Sequence, residues 1–161
     1  MGWKFWGRFG IVLVMKIGSE NEMVKQGKAL AEKIRAGGLL GDVAGATVIE
    51  LVGDVGAGKT TFTRGLAEGL GVKEEVTSPS FTISKVYALP DGGRLVHYDF
   101  YRLAEPGLMV EDLEENLADS RNVVVIEWGE SVAELLPEEH IRVEIMYSDD
   151  GGRKLELLPN N

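Results

Sequence analysis

Residues 53 to 62, GDVGAGKTTF, hold the side chains best suited to chemistry in this chain, and they follow the apolar run Val48 to Val52 directly. Gly53, Gly58, Lys59 and Thr60 match G-x-x-x-x-G-K-[ST], with a strand-like run before and helical spacing after, the context a phosphate-binding loop requires. A polyphosphate must be met by several backbone N–H groups aimed inward, and glycine lets the chain turn that tightly. The helix opening near Lys59 adds the positive end of its dipole. Lys59 would then reach the β- and γ-phosphates, and the Thr60 hydroxyl would ligate Mg²⁺. The competing reading is an ordinary strand-to-helix turn, which explains neither the lysine nor the threonine.

A phosphate loop of this kind needs a carboxylate to help hold the metal, commonly at the end of a neighbouring apolar strand. NVVVIE ends in Glu127, the acid that closes an uninterrupted apolar run. HYDFYRL supplies a second candidate, Asp99, at the end of another extended run. His97 alternates with Asp99 and so shares its face, but a strand histidine is more often structural and receives no catalytic role here. TSPSFT, residues 77 to 82, places four hydroxyls around Pro79. It reads equally as a switch loop that meets metal or γ-phosphate and as a hydroxyl-rich turn.

The elements that must position these groups follow from periodicity. Ser19 with Glu22 forms a capping-box pattern that opens a helix to about Arg35. Thr47 to Val52 reads as a buried strand, and Lys59 to Leu70 as a helix stopped by Gly71. Alternation from Phe81 to Leu89, the turn PDGG and the run Arg94 to Asp99 predict a hairpin. A short acidic helix over 111–119, a strand over 122–126, a brief helix over 131–136 and a closing hairpin (141–147 with 153–158) complete the chain. Helices alternating with buried strands imply an α/β fold: one three-layer P-loop NTPase domain with a mixed sheet, a parallel core plus antiparallel hairpins.

The chain has 161 residues, the size of one domain; 44 % are apolar and 27 % charged, a globular balance. Its net charge of −9 argues against unaided nucleic-acid binding. The absence of cysteine excludes disulfides and thiolate metal sites and suits the cytoplasm. Residues 1 to 16 carry Lys4, Arg8 and a short apolar run from Ile11 to Met15. That run is far too short for a membrane span. These residues are expected to be a mobile leader, with Met15 an alternative start, and the domain to occupy 17 to 161.

Three nucleotide-using classes compete. No N-K-x-D segment for reading guanine occurs, so ATP is preferred to GTP. A small-molecule kinase would need a lid and clamping arginines, but those after Arg64 (94, 102, 121, 142 and 153) are scattered. The third class is an ATPase whose cycle drives a partner protein.

In order and spacing, GDVGAGKTTFTRGLAEGLG, TSPSFT, HYDFYRL and VVVIEWGE resemble the bacterial TsaE family across about residues 17 to 158. TsaE proteins are small ATPases required for threonylcarbamoyladenosine modification of tRNA, and HYDFYRL and IEW are the most specific pieces of the likeness. The resemblance implies ATP and Mg²⁺ binding by Val55, Gly56, Ala57, Gly58, Lys59, Thr60 and Thr61. It implies metal coordination by Thr60 and Glu127, with Asp99 as a further acid at the metal, so that Lys59, Asp99 and Glu127 form the catalytic group. Glu20, Trp128 and Glu130 occupy family positions near the nucleotide. The implied partners are the transferase subunits TsaD and TsaB, so that an acidic ATPase meets tRNA only indirectly. The chain departs from the family at Ser80, where threonine is usual and a hydroxyl is kept, and at Met23, where threonine is common.

Overall fold

The computed structural model describes residues 13–37, 44–103, 105, 107 and 109–159. Seven strands form one sheet: β1 (Leu13–Ile17), β2 (Thr47–Val52), β3 (Ser84–Ala88), β4 (Arg94–Asp99), β5 (Val123–Glu127), β6 (Ile141–Tyr147) and β7 (Arg153–Pro159). Their spatial order is β1-β7-β6-β2-β5-β4-β3. The central four, β6-β2-β5-β4, are parallel. Each flank is antiparallel, β3 on β4 at one side and β7 and β1 beyond β6 at the other. The expected mixed sheet is therefore present.

Helices α1 (Glu20–Arg35) and α2 (Lys59–Leu70) cover one face of it. Leu30, Phe62 and Leu66 there join Ile49, Leu51, Val125 and Val143 in one buried cluster. Full burial of each such side chain contributes roughly 1.5–3 kcal/mol. Helix α3 (Met109–Ala118) and a 3-10 turn over Gly129–Leu135 cover part of the other face, where Leu113 and Val132 pack on Val48, Val124 and Ile126. Three layers result.

Two local features fix the helices above the strand ends. Ser19 caps α1, its hydroxyl accepting from the Glu22 N–H at 3.2 Å, while Glu22 reaches back to accept from Gly18 N–H at 2.7 Å. Then α1 and α2 approach so closely that a Cβ on Gly65 would lie 2.1 Å from the Val24 carbonyl oxygen, and one on Gly27 2.2 Å from that of Phe62. Only glycine fits at such a backbone contact.

Two expectations need correction. Leu13 to Lys16, assigned to the leader, belong to the sheet: β1 pairs with β7 from Leu13 opposite Leu157 to Ile17 opposite Arg153. Leu13, Met15 and Ile17 alternate onto the core face, and β7 would otherwise leave an open edge. The rest of the expected leader, residues 1–12, lies outside the described residues. The hairpin strand also starts at Ser84 rather than Phe81. Ile83 adopts φ 67°, in the left-handed region, and its N–H donates to the Pro79 carbonyl, closing a turn that breaks the alternation. Phe81 is left 86 % exposed.

Candidate functional site

Strands β2, β4 and β5 end side by side, and ligands of open parallel sheets collect at those carboxyl ends. β2 runs straight into the loop 53–58, which delivers Gly58 at φ 114° as the cap of α2. Nothing but a left-handed residue closes this turn and leaves the first N–H groups of α2 free for an anion. Lys59, buried to 6 % exposure, donates from Nζ to the carbonyls of Gly53 (2.6 Å) and Asp54 (2.9 Å). The same ammonium lies 4.9 Å from the centre of the Trp128 ring. Its charge is thus held at the loop and satisfied by oxygen and aromatic face.

Val55, Gly56, Gly58, Lys59, Thr60 and Thr61 line one wall of a cavity of about 360 Å³. Asp99, Glu127, Trp128, Ser78, Ser80, Tyr101 and Arg102 complete it. Asp99 and Glu127 are register partners on β4 and β5, so their side chains leave the same face of adjacent strand ends. Both are buried, and among the described residues neither forms an ion pair with lysine or arginine. Asp99 accepts from the Ser80 hydroxyl at 2.6 Å and the Tyr101 N–H at 3.0 Å. Glu127 meets Nε2 of His97 at 2.8 Å. Two neighbouring buried carboxylates without a compensating cation are costly unless a positive ion joins them. Among the described residues no three His, Cys, Asp or Glu side chains converge as a metal cage. Mg²⁺ is characteristically held by one or two carboxylates plus phosphate oxygens, so Thr60, Asp99 and Glu127 fit it.

A second cavity of about 320 Å³ shares Gly56, Gly58 and Thr61 with the first. Ala57 lines it, together with Ile17 from the end of β1, Glu20 and Met23 from the start of α1 and Arg153 from β7. Glu20 Oε1 accepts from Arg64 at 2.5 Å. The two chambers meeting over the loop give room for a base on one side and phosphates on the other.

The structure thus brings together every residue the sequence singled out except Glu130, which lines smaller cavities beside Trp128. Trp128 itself sits at φ 56°, a left-handed conformation that costs a non-glycine residue about 1–3 kcal/mol. Tyr101 packs on its ring at 4.9 Å. Three participants received no site role from the sequence. His97 touches Glu127. Arg102 lines the first cavity, with its guanidinium 4.9 Å over Phe81. Arg153 donates to the carbonyls of Ala57 (3.1 Å) and Gly56 (3.4 Å) while lying 4.1 Å over the Tyr147 ring. These bonds tie the loop to β7. The alternation of His97 with Asp99 signals only their shared face; the contacts of all three join residues distant in the sequence.

Four parallel strands, a glycine loop capping α2 and acids on the adjacent strand ends define a P-loop NTPase domain. Residues 17–155 match the family described as threonylcarbamoyl adenosine biosynthesis protein TsaE, and the chain belongs to that family. It is 46 % identical over 124 residues to the Streptomyces coelicolor "tRNA threonylcarbamoyladenosine biosynthesis protein TsaE", covering 76 % of this chain and 78 % of the relative. The Haemophilus influenzae protein of the same name is 37 % identical, covering 91 % and 89 %. The crystal structure of Bacillus subtilis YdiB superposes with a TM-score of 0.73 at 31 % identity, covering 96 % of this chain and 90 % of that one.

Proposed function

We propose that the chain is a Mg²⁺-dependent ATPase of tRNA threonylcarbamoyladenosine biosynthesis, working in the cytoplasm with the transferase subunits TsaD and TsaB. The carrying observation is the pair of cavities that meet over Gly56, Gly58 and Thr61, with Asp99 and Glu127 facing the start of α2. Family membership supports the pathway. Among the described residues no helix is long and apolar enough to cross a membrane.

In this reading the loop N–H groups and the α2 terminus bind the phosphates, and Lys59 leaves the Gly53 and Asp54 carbonyls to meet the β- and γ-oxygens. Thr60 and Glu127 would hold Mg²⁺, with Asp99 beside them. When bound, the ion supplies charge neutralisation between the β- and γ-phosphates. Asp99, fixed by Ser80 and the Tyr101 N–H, orients water or metal. Ser80 ties the 77–82 loop to that acid, so displacement of the loop by nucleotide or partner alters the site. Trp128, against Lys59, closes the wall.

Turnover should be slow for the chain alone and rise when TsaD and TsaB are added, since a group supplied in trans contributes roughly 10³ to 10⁵ in other P-loop enzymes. ATP hydrolysis measured with the partner subunits in one tube and a panel of small phosphoryl acceptors in another tests this. Stimulation by the acceptors alone, with γ-phosphate transferred to product, would make the protein a small-molecule kinase instead.

A further inference from the structure

His97 lies at the centre of β4 with no exposed surface, and its Nε2 contacts Glu127 Oε1 at 2.8 Å. Among the described residues its buried Nδ1 has no hydrogen-bond partner. A buried polar atom left unpaired costs free energy that an apolar side chain would avoid. Leucine or valine would fill this core position without that cost, as Leu95, two residues earlier on the same face, does. The histidine must therefore be retained for the bond at its other nitrogen.

That bond is directional. A carboxylate accepts hydrogen bonds, so the tautomer with its proton on Nε2 is the one that fits, and Nδ1 is left as the bare nitrogen. The register explains the reach: Asp99 lies opposite Glu127, while His97 lies opposite Val125, one step back on the same face. From there the imidazole meets Glu127 diagonally. One carboxylate oxygen is thereby committed to His97, and the carboxylate plane can no longer turn freely beside Asp99. Asp99 has its own supports in Ser80 and the Tyr101 N–H. Each acid is braced separately.

We propose that His97 is a positioning residue: it holds the Glu127 carboxylate in the orientation that accepts Mg²⁺, and so sets the metal dependence of nucleotide binding without touching nucleotide. This rests on the Mg²⁺ reading above. Hydrogen-bond partners of metal ligands are worth about 10- to 100-fold in metal affinity. Without the imidazole, the Glu127 carboxylate would have no hydrogen-bond partner among the described residues and would rotate against Asp99.

The test is calorimetric titration of ADP with and without Mg²⁺, with a Mg²⁺ titration at fixed ADP, on wild type, His97→Leu and His97→Gln. Leucine preserves bulk and removes the donor; the glutamine amide restores a donor near Nε2. Wild type should bind ADP more tightly with Mg²⁺. In His97→Leu the Mg²⁺ midpoint should rise at least tenfold while metal-free ADP affinity stays within about twofold, and His97→Gln should recover much of the difference. A merely structural histidine would lower both affinities together and leave the Mg²⁺ enhancement unchanged; that result overturns the proposal. A wild-type protein indifferent to Mg²⁺ would instead overturn the metal reading, and this inference with it. If His97→Leu fails to fold, His97→Gln against His97→Asn gives the same contrast, because asparagine places its donor on the unpartnered Nδ1 side. Equal Mg²⁺ midpoints in those two would then refute the proposal.

Discussion

Replacing Gly65 by alanine probes the contact that sets α2, and with it Lys59 and Thr60, against the rest of the domain. An added Cβ would stand 2.1 Å from the Val24 carbonyl oxygen and 2.8 Å from both its carbonyl carbon and its Cα. These are backbone atoms of α1, so no rotamer change relieves the overlap. Ordinary contact begins near 3.4 Å, so the two helices must separate locally by about 1.3 Å. Overpacking of this kind costs roughly 1–3 kcal/mol, and sometimes more. Alanine favours a helix interior by roughly 1 kcal/mol, so propensity alone predicts the opposite sign. Because the clash is with backbone, the steric cost falls at the upper end of that range, and we expect it to win by about 2 kcal/mol. For a domain of this size that lowers Tm by roughly 4–8 °C. Thermal unfolding followed by circular dichroism is the assay, with Gly18→Ala as control, whose Cβ would meet nothing nearer than 3.6 Å. A Tm raised by Gly65→Ala would refute the close helix contact.

Arg153→Met should keep the fold but weaken ATP binding several-fold, because the Gly56 and Ala57 carbonyls lose their donor; calorimetry checks it, and unchanged affinity removes Arg153 from the site. Asp99→Asn and Glu127→Gln should each match or exceed the wild-type Tm without Mg²⁺, since one of two adjacent buried charges is gone, yet reduce ATP turnover at least tenfold. A third cluster lies on the opposite face of the sheet, where Glu50 meets Arg142 at 3.0 Å and His140 at 3.5 Å. The hydrogen bond from His140, assisted by Arg142, lowers the Glu50 pKa below its ordinary 4.5 despite burial. Burial opposes the charge of His140, but Glu50 and the Pro137 carbonyl raise its pKa above 6.5. The Glu50 contribution is present above about 4.5 and lost as pH falls through its folded pKa, whereas that of His140 is present below about 6.5 and lost as pH rises through its own. Wild type should therefore lose stability relative to His140→Gln as pH rises from 6 to 9, measured by denaturant unfolding.

How much of this was legible depended on distance along the chain. The loop, β2 and α2 announce themselves because Gly53, Gly58, Lys59 and Thr60 are a local pattern between flanks of clear period. Glu127 and Asp99 were found as the last residues of extended runs, and their register pairing then places them together. β1 was missed because Leu13, Met15 and Ile17 follow basic residues in a short run, and only the distant β7 edge makes a strand of them. The turn at Ile83 was invisible because a β-branched residue with positive φ contradicts its own propensity. His97 and Arg153 act through pairings 30 to 97 residues apart, and Arg102 through a cavity wall. Glu130, read as near the nucleotide, is carried past the cavity by the 3-10 turn that follows Trp128.

The central claim, that the cavities over residues 53 to 61 are an ATP site, is tested most directly by calorimetric titration of ATP and Mg²⁺ into wild type and Lys59→Ala. Wild type should bind one ATP per chain, and the variant, folded but lacking the loop's ammonium, should bind at least tenfold more weakly, a loss of about 1.4 kcal/mol. Undiminished affinity in Lys59→Ala, or no saturable binding to wild type, would contradict it.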